Sequence, residues 1–142
     1  MNSEKGFTLI ELMIVVALIL LLACLALPNL VAAMDKGKRN VTVANIRQVG
    51  QALEAYAIEH NEYPRATSME ELAAVLEPEF LKSTPLPDGW GHPLLYECEA
   101  NGQVFTIPAL GKDGSRQGSG LAPDDIVFAD GRFILGPEDE KS

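Results

Sequence analysis

A single carboxylate inside a membrane-length apolar run limits what this chain can fold into more than anything else in it. The run opens at Phe7 and reaches Ala33, broken only by Glu11, Pro28 and Asn29. About twenty apolar residues cross a bilayer as a helix, so one membrane pass is predicted. A carboxylate at that depth costs roughly 2.5 to 3.5 kcal/mol on insertion scales, so Glu11 needs a compensating partner or a functional reason. A bland reading leaves Glu11 at the membrane edge, snorkelling to water or protonated.

The residues before the run, Met1 to Gly6, are short and weakly basic, with Lys5 offset by Glu4, which disfavours an ordinary secretory leader. Leu21-Leu22-Ala23-Cys24 has the look of a lipobox, which would make the chain a lipid-tethered binding domain. The residues after Cys24 stay apolar, however, where a lipoprotein continues into a polar linker.

The string Lys5-Gly6-Phe7-Thr8-Leu9-Ile10-Glu11-Leu12-Met13-Ile14-Val15-Val16 resembles the class III signal of type IV pilins and pseudopilins. The resemblance implies cleavage by a prepilin peptidase between Gly6 and Phe7 and N-methylation of Phe7. It also gives Glu11 a partner: the new amine of a neighbouring subunit, since two groups costly to bury alone attract strongly in a low dielectric. Burial of Glu11 then depends on assembly.

The rest of the chain is of a different kind. Beyond the helix about 80 residues remain for one compact head, a size that buries a modest fraction of its surface and often needs a staple. A disulfide is not expected, because Cys24 lies in the apolar run and Cys98 in the head, so both are read as free thiols. The net charge of −9 argues against nucleic-acid binding.

Helical periodicity resumes after the apolar run. Ile46, Val49, Leu53 and Tyr56 recur at spacings of three and four, with Val43, Gly50 and Ala57 on the same side. The spacing predicts one helix from Phe7 to about Asn61, on the order of 80 Å long, with a kink or loosening between Pro28 and Asn40. Its second half would lay the 46/49/53/56 stripe on a sheet. The Lys36, Lys38, Arg39 cluster follows the span while only Lys5 precedes it, which by the positive-inside rule alone would put the cluster in the cytoplasm. The family resemblance implies the opposite orientation, with the cluster meeting anionic headgroups, acidic neighbours or simply solvent.

In the head, Pro64 ends the helix and Ser68-Met69-Glu70-Glu71 reads as a capping box opening a short helix with Met69, Leu72, Ala73 and Leu76 on one face, until Pro78. Leu94 to Cys98 and Val104 to Ile107 flank Asn101-Gly102, a hairpin signal. Asp125 to Phe128 and Arg132 to Leu135 flank a second turn. The predicted fold is α+β: a long N-terminal helix packed on a small antiparallel sheet, the pilin-like arrangement. The segments are a leader at 1–6, a transmembrane and filament-core helix at 7–33, its amphipathic continuation at 34–61, a head at 62–135 and an acidic tail at 136–142.

A second resemblance lies in the head. Leu86-Pro87-Asp88-Gly89-Trp90-Gly91-His92-Pro93-Leu94-Leu95-Tyr96, Ala109-Leu110-Gly111-Lys112-Asp113-Gly114 and Asp124-Asp125-Ile126 are similar to the major pseudopilin of the type II secretion system. The chain departs from that pattern at Gly89, where proline is commoner, at Pro108-Ala109, and in continuing past Phe128. The loop 110–125 brings carboxylates together among glycines, and calcium favours six to eight such oxygens in flexible geometry. By itself this is an ordinary acidic turn, since the spacing is not that of an EF-hand. The resemblance implies calcium, held by the Leu110 carbonyl and by Asp113, Asp124 and Asp125, with Ser115 or Ser119 as further candidates.

No nucleophile, base and acid stand together: His60 is near a helix end and His92 in a turn. Trp90 and Tyr96 are read as core or turn anchors. The expectation is a non-enzymatic subunit of an inner-membrane-anchored periplasmic filament. Its implied partners are copies of itself, minor pseudopilins, the prepilin peptidase, and the assembly platform with its secretion ATPase. The alternative filament is a type IV pilus for adhesion, motility or DNA uptake, although many such pilins close a C-terminal disulfide that Cys98 alone cannot form.

Overall fold

The structure is a computed structural model that describes residues 6–85, 87–99, 101–115, 125–129 and 131–135. Its elements are α1 (Leu9–His60), α2 (Met69–Leu76), β1 (Glu97–Cys98), β2 (Phe105–Ala109), β3 (Ile126–Ala129) and β4 (Arg132–Leu135). The strands form one antiparallel sheet in the order β1-β2-β3-β4, which gives the α+β, pilin-like arrangement expected from the sequence. Two compact units divide the chain, Met1–Asp35 and Lys36–Ser142, and α1 contributes to both. The leader before Gly6 and the acidic tail 136–142 lie outside the described residues.

Leu, Ile, Val and Ala carry α1 from Leu9 onward, and the helix runs through Pro28 and Gly37 without a break. A proline removes one backbone donor, which a helix of this length absorbs without ending. Termination comes at Asn61, whose φ of 59° is left-handed and whose amide donates to the Ala57 carbonyl at 2.8 Å, an end sealed by Pro64 downstream.

In the first unit no described residue of α1 before Asp35 is covered. In the second unit the helix has a buried face. Ile46, Val49 and Leu53 are fully buried and Gly50 is buried with them, while Val43 and Tyr56 pack at the margin. The sheet contributes Phe105, Ile107, Ala109, Ile126 and Phe128 to the same core, and α2 contributes Met69, Leu72 and Leu76. The Phe128 ring lies so close to Gly50 that any β-carbon there would collide with it.

The short helix α2 begins where the sequence places it. Ser68 is the N-cap and its hydroxyl accepts the Glu71 amide at 3.2 Å. The return bond is displaced by one residue: the Glu71 carboxylate accepts from the amide and hydroxyl of Thr67, each at 2.8 Å. These two bonds hold the Glu71 carboxyl below its usual range.

Strand β1 is shorter than the expected Leu94–Cys98. It pairs through Glu97 with Thr106 and Cys98 with Phe105, and the same register carried on would set Leu95 opposite Pro108. There only one bond forms, from the Leu95 amide to the Pro108 carbonyl at 3.1 Å. Proline has no N–H to return, and that missing donor faces the β1 side, so the ladder stops while β2 still pairs with β3 on the other side through Thr106 to Ala109. Strand β4 pairs with β3 across a bulge at Val127/Phe128. Its Phe133 ring meets Phe128 edge-on at 5.0 Å and lies 5.5 Å from the Arg47 guanidinium.

Candidate functional site

Two regions carry chemistry, one at the start of α1 and one where a turn and a loop of the head meet. At the first, Gly6 and Phe7 are exposed and precede the helix, so the peptide bond between them lies in accessible, non-helical chain. A β-carbon at Gly6 would meet nothing within 4 Å, so no packing demand in the fold requires glycine there.

Thr8 and Glu11 close a reciprocal cap on the helix. The Thr8 hydroxyl accepts the Glu11 amide at 3.3 Å, and the Glu11 carboxylate accepts the Thr8 amide at 2.9 Å and the Thr8 hydroxyl at 2.7 Å. The carboxylate therefore sits at the positive end of the helix, beside the backbone of the residue that follows Phe7. The sequence alone presents Glu11 as a charge awaiting a partner, and the structure adds Thr8 as that partner. The signal was present as Thr-x-x-Glu at the start of an apolar run.

In the head, the turn Pro87–Pro93 is folded around Asp88. One Asp88 oxygen accepts the amides of Trp90 at 2.9 Å and His92 at 2.8 Å, and its own amide donates to the His92 carbonyl at 2.7 Å. The turn is seated on α1. The Gly89 amide donates to the Thr42 hydroxyl at 2.8 Å, that hydroxyl donates to the Lys38 carbonyl at 3.1 Å, and Asn45 donates to the Pro87 carbonyl at 3.1 Å. A side chain at Gly89 would run into the Lys38 carbonyl. The departure from the family pattern at this position thus has a local reason, because proline could not donate to Thr42.

His92 joins this turn to the start of the acidic loop. Its Nδ1 lies 2.9 Å from the Gly111 carbonyl, which makes Nδ1 the protonated nitrogen, and its ring occupies the space a side chain at Gly114 would need. Gly111 and Gly114 have φ of 61° and 63°, a left-handed geometry that glycine adopts freely. The His92 nitrogen is 3.6 Å from the second Asp88 oxygen. His92 is thus a bridge between two loops of the head.

The candidate calcium ligands are only partly described. Leu110 is half-buried, Asp113 is exposed and Asp125 is buried, whereas Asp124 and Ser119 lie outside the described residues. Asp113 closes a small turn by accepting the Ser115 amide at 3.1 Å and hydroxyl at 3.0 Å, bonds that hold its carboxyl below the usual range. Among the described residues no three His, Cys, Asp or Glu side chains converge on a metal position. The donor chemistry, carboxylate and carbonyl oxygen without sulfur or imidazole, is of the hard kind that calcium takes.

The remaining residues of interest are dispersed. Cys24 is exposed on α1 and Cys98 is half-buried on β1, both as free thiols. His60 stacks on Tyr56 at 4.0 Å at the end of α1. Tyr96 is buried and donates its hydroxyl to the Pro64 carbonyl at 2.7 Å, and burial pushes its phenol well above the ordinary value.

Residues 1–27 match the prokaryotic N-terminal methylation motif, and residues 29–127 match the family described as type II secretion system protein G. Type II secretion system core protein G of Pseudomonas aeruginosa is 32% identical over 130 residues, covering 83% of this chain and 90% of that one. Its counterpart in Vibrio cholerae is 29% identical over 136 residues, covering 87% and 91%. The type IV wide pilus major component PilA4 of Thermus thermophilus is 42% identical over 85 residues, 60% of each chain. No solved structure matches the chain. With a methylation motif on a capped apolar helix and a family match across most of the head, the chain belongs to the type II secretion system protein G family and is a pseudopilin subunit of that system.

Proposed function

We propose that this pseudopilin is a non-enzymatic building block, cut between Gly6 and Phe7, methylated on the Phe7 amine, held in the inner membrane with its head in the periplasm, and drawn into a helical fibre. The observation that carries the reading is the Thr8–Glu11 cap on a helix whose apolar residues from Leu9 to Val31 are uncovered. Apolar surface of that extent requires lipid or other helices around it. Hydrogen bonds from Thr8 give the Glu11 carboxylate a partner within its own chain, which lowers the cost of holding the unassembled subunit in a bilayer.

Cleavage would create an amine one residue before the Thr8 amide, within reach of that same carboxylate. In the fibre the Phe7 amine of one subunit and Glu11 of another would exchange the local cap for a buried charge pair. Such a pair is favourable only when both groups arrive together, and so it favours the correct axial register. Minor pseudopilins would share the fibre, and the assembly platform and secretion ATPase would supply the work of extraction. The test is electron microscopy of fibres from cells overproducing the chain: wild type should form them and Glu11→Ala should be processed but form none.

Calcium belongs to this proposal as a staple for the loop 110–125. The Leu110 carbonyl and the carboxylates of Asp113, Asp124 and Asp125 would hold it, and its charge would offset their mutual repulsion. Asp113 would have to turn its oxygens away from Ser115, while His92 keeps the loop start fixed at Gly111.

The likeness to PilA4 supports a second reading, a type IV pilus subunit. The two readings share the processing chemistry and differ in what the fibre does. Loss of exoprotein export on deletion favours the secretion reading, and loss of surface pili favours the other.

A further inference from the structure

The junction between the apolar run and the head carries charge and an aromatic side chain that the filament reading leaves unused. Lys36, Lys38 and Arg39 stand within six residues of Ala33 in a chain of net charge −9. Basic residues on the exported side of a span oppose its insertion, so the cluster has a cost for which the filament core gives no return. Lys36 is exposed, and Lys38 and Arg39 are half-buried. The turn holding Trp90, the only tryptophan in the chain, is seated at the same level of α1, with Gly89 against the Lys38 carbonyl and bonded to Thr42.

Trp90 and Arg39 are half-buried, so each keeps part of its surface accessible, while Trp90 Nε1 and Arg39 Nε are covered, find no hydrogen-bond partner among the described residues and do not themselves face a headgroup. The Asp88 carboxylate is fully covered and one oxygen accepts two amides of the turn, so its negative charge is fixed behind the cations and subtracts one from their three. Asp35 offsets a second, so three cations less two carboxylates leave one net positive charge. A net positive collar with a tryptophan, placed directly after an apolar span, has the composition of a membrane–water boundary, where indole rings lie among headgroups and cations meet phosphate.

We propose that Lys36, Lys38, Arg39 and Trp90 form a docking surface for anionic lipid headgroups, which holds the head of the unassembled subunit against the bilayer. The inference goes beyond polymer formation and rests on the proposed orientation, with the apolar run in the membrane and the head on the exported side.

The test uses the full chain in vesicles of phosphatidylcholine alone and of two parts phosphatidylcholine to one part phosphatidylglycerol. Trp90 reports its own position by emission wavelength and by quenching from brominated lipid. In the anionic vesicles the emission should shift to the blue and quenching should rise. Both changes should fall away in Lys36→Gln/Lys38→Gln/Arg39→Gln and in high salt. Lys36→Gln alone, at an exposed position where misfolding is not a concern, should weaken the anionic preference about fivefold.

Equal emission and quenching in the two vesicles, or an unaltered response in the triple variant, would overturn the proposal. So would quenching that follows the protein-to-lipid ratio at fixed composition, since that identifies the acidic face of a second copy as the partner. Flotation of the chain with both vesicles is read separately; a chain that floats with neither would overturn the membrane reading and this proposal together.

Discussion

The Glu11 carboxylate folds back on Thr8, accepting its amide at 2.9 Å and its hydroxyl at 2.7 Å, so the one charge in the apolar run also closes the N-terminal cap that Thr8 places on the helix. Thr8→Val should keep the proposed cleavage after Gly6, because the Gly6–Phe7 bond precedes the helix, but should leave the carboxylate with the backbone amide alone. Unassembled Thr8→Val should then accumulate less in the membrane than wild type, read by fractionation. Glu11→Ala should be processed and accumulate normally, yet fail to form fibres.

Gly89 and Lys38 give the head its most sharply constrained contact. Gly89→Ala should destabilise the head by about 1 to 3 kcal/mol, because the turn must lift off the helix backbone to admit a methyl group. Thr42→Val, at a fully buried position, should cost about 1 to 3 kcal/mol by stranding the Gly89 amide. Denaturant melts of the two variants and of the double variant test whether they share one junction, in which case their effects will not add.

Tyr96 supplies a pH-dependent term at the alkaline end. Its folded phenol is raised above the ordinary value of about 10, so its stabilising contribution is complete below that pH and is lost as the pH climbs above it. Tyr96→Phe should lower stability by about 0.5 to 1.5 kcal/mol at neutral pH through loss of the bond to Pro64, and should flatten the decline above pH ~10. Thermal melts across that range check both.

Asp113 separates an acidic turn from a metal loop. Asp113→Ala should lower the melting temperature in calcium and change it little in chelator, because a ligand that binds only the folded chain stabilises it by mass action. An equal loss under both conditions would assign Asp113 to the Ser115 turn alone. On acidification that turn should weaken only as the pH falls through the depressed folded value, below the usual carboxylate range.

Much of the fold was legible because its signals are local. The stripe of Ile46, Val49 and Leu53 names the buried face of α1 by spacing alone, and Ser68 to Leu76 gives α2 its start and end. The two hairpin turns follow from Gly102 and Gly131, both left-handed. What escaped depends on contacts between distant segments. Nothing near Gly89 announces Lys38, nothing near Gly50 announces Phe128, and the shortening of β1 depends on which edge of β2 the missing Pro108 donor faces. At the candidate site, Glu11 was legible as an isolated charge, whereas its bond to Thr8 required weighing a capping motif against a membrane motif in the same four residues. His92 was legible only as a turn residue, since its partner Gly111 lies nineteen positions away.

Mass spectrometry of the N-terminus of the chain recovered from cells that contain a prepilin peptidase tests the central claim most directly. The account predicts a mature form that begins at N-methylated Phe7, with the Glu11 carboxylate close behind it. A mature chain that still begins at Met1, or one acylated at Cys24, would contradict it.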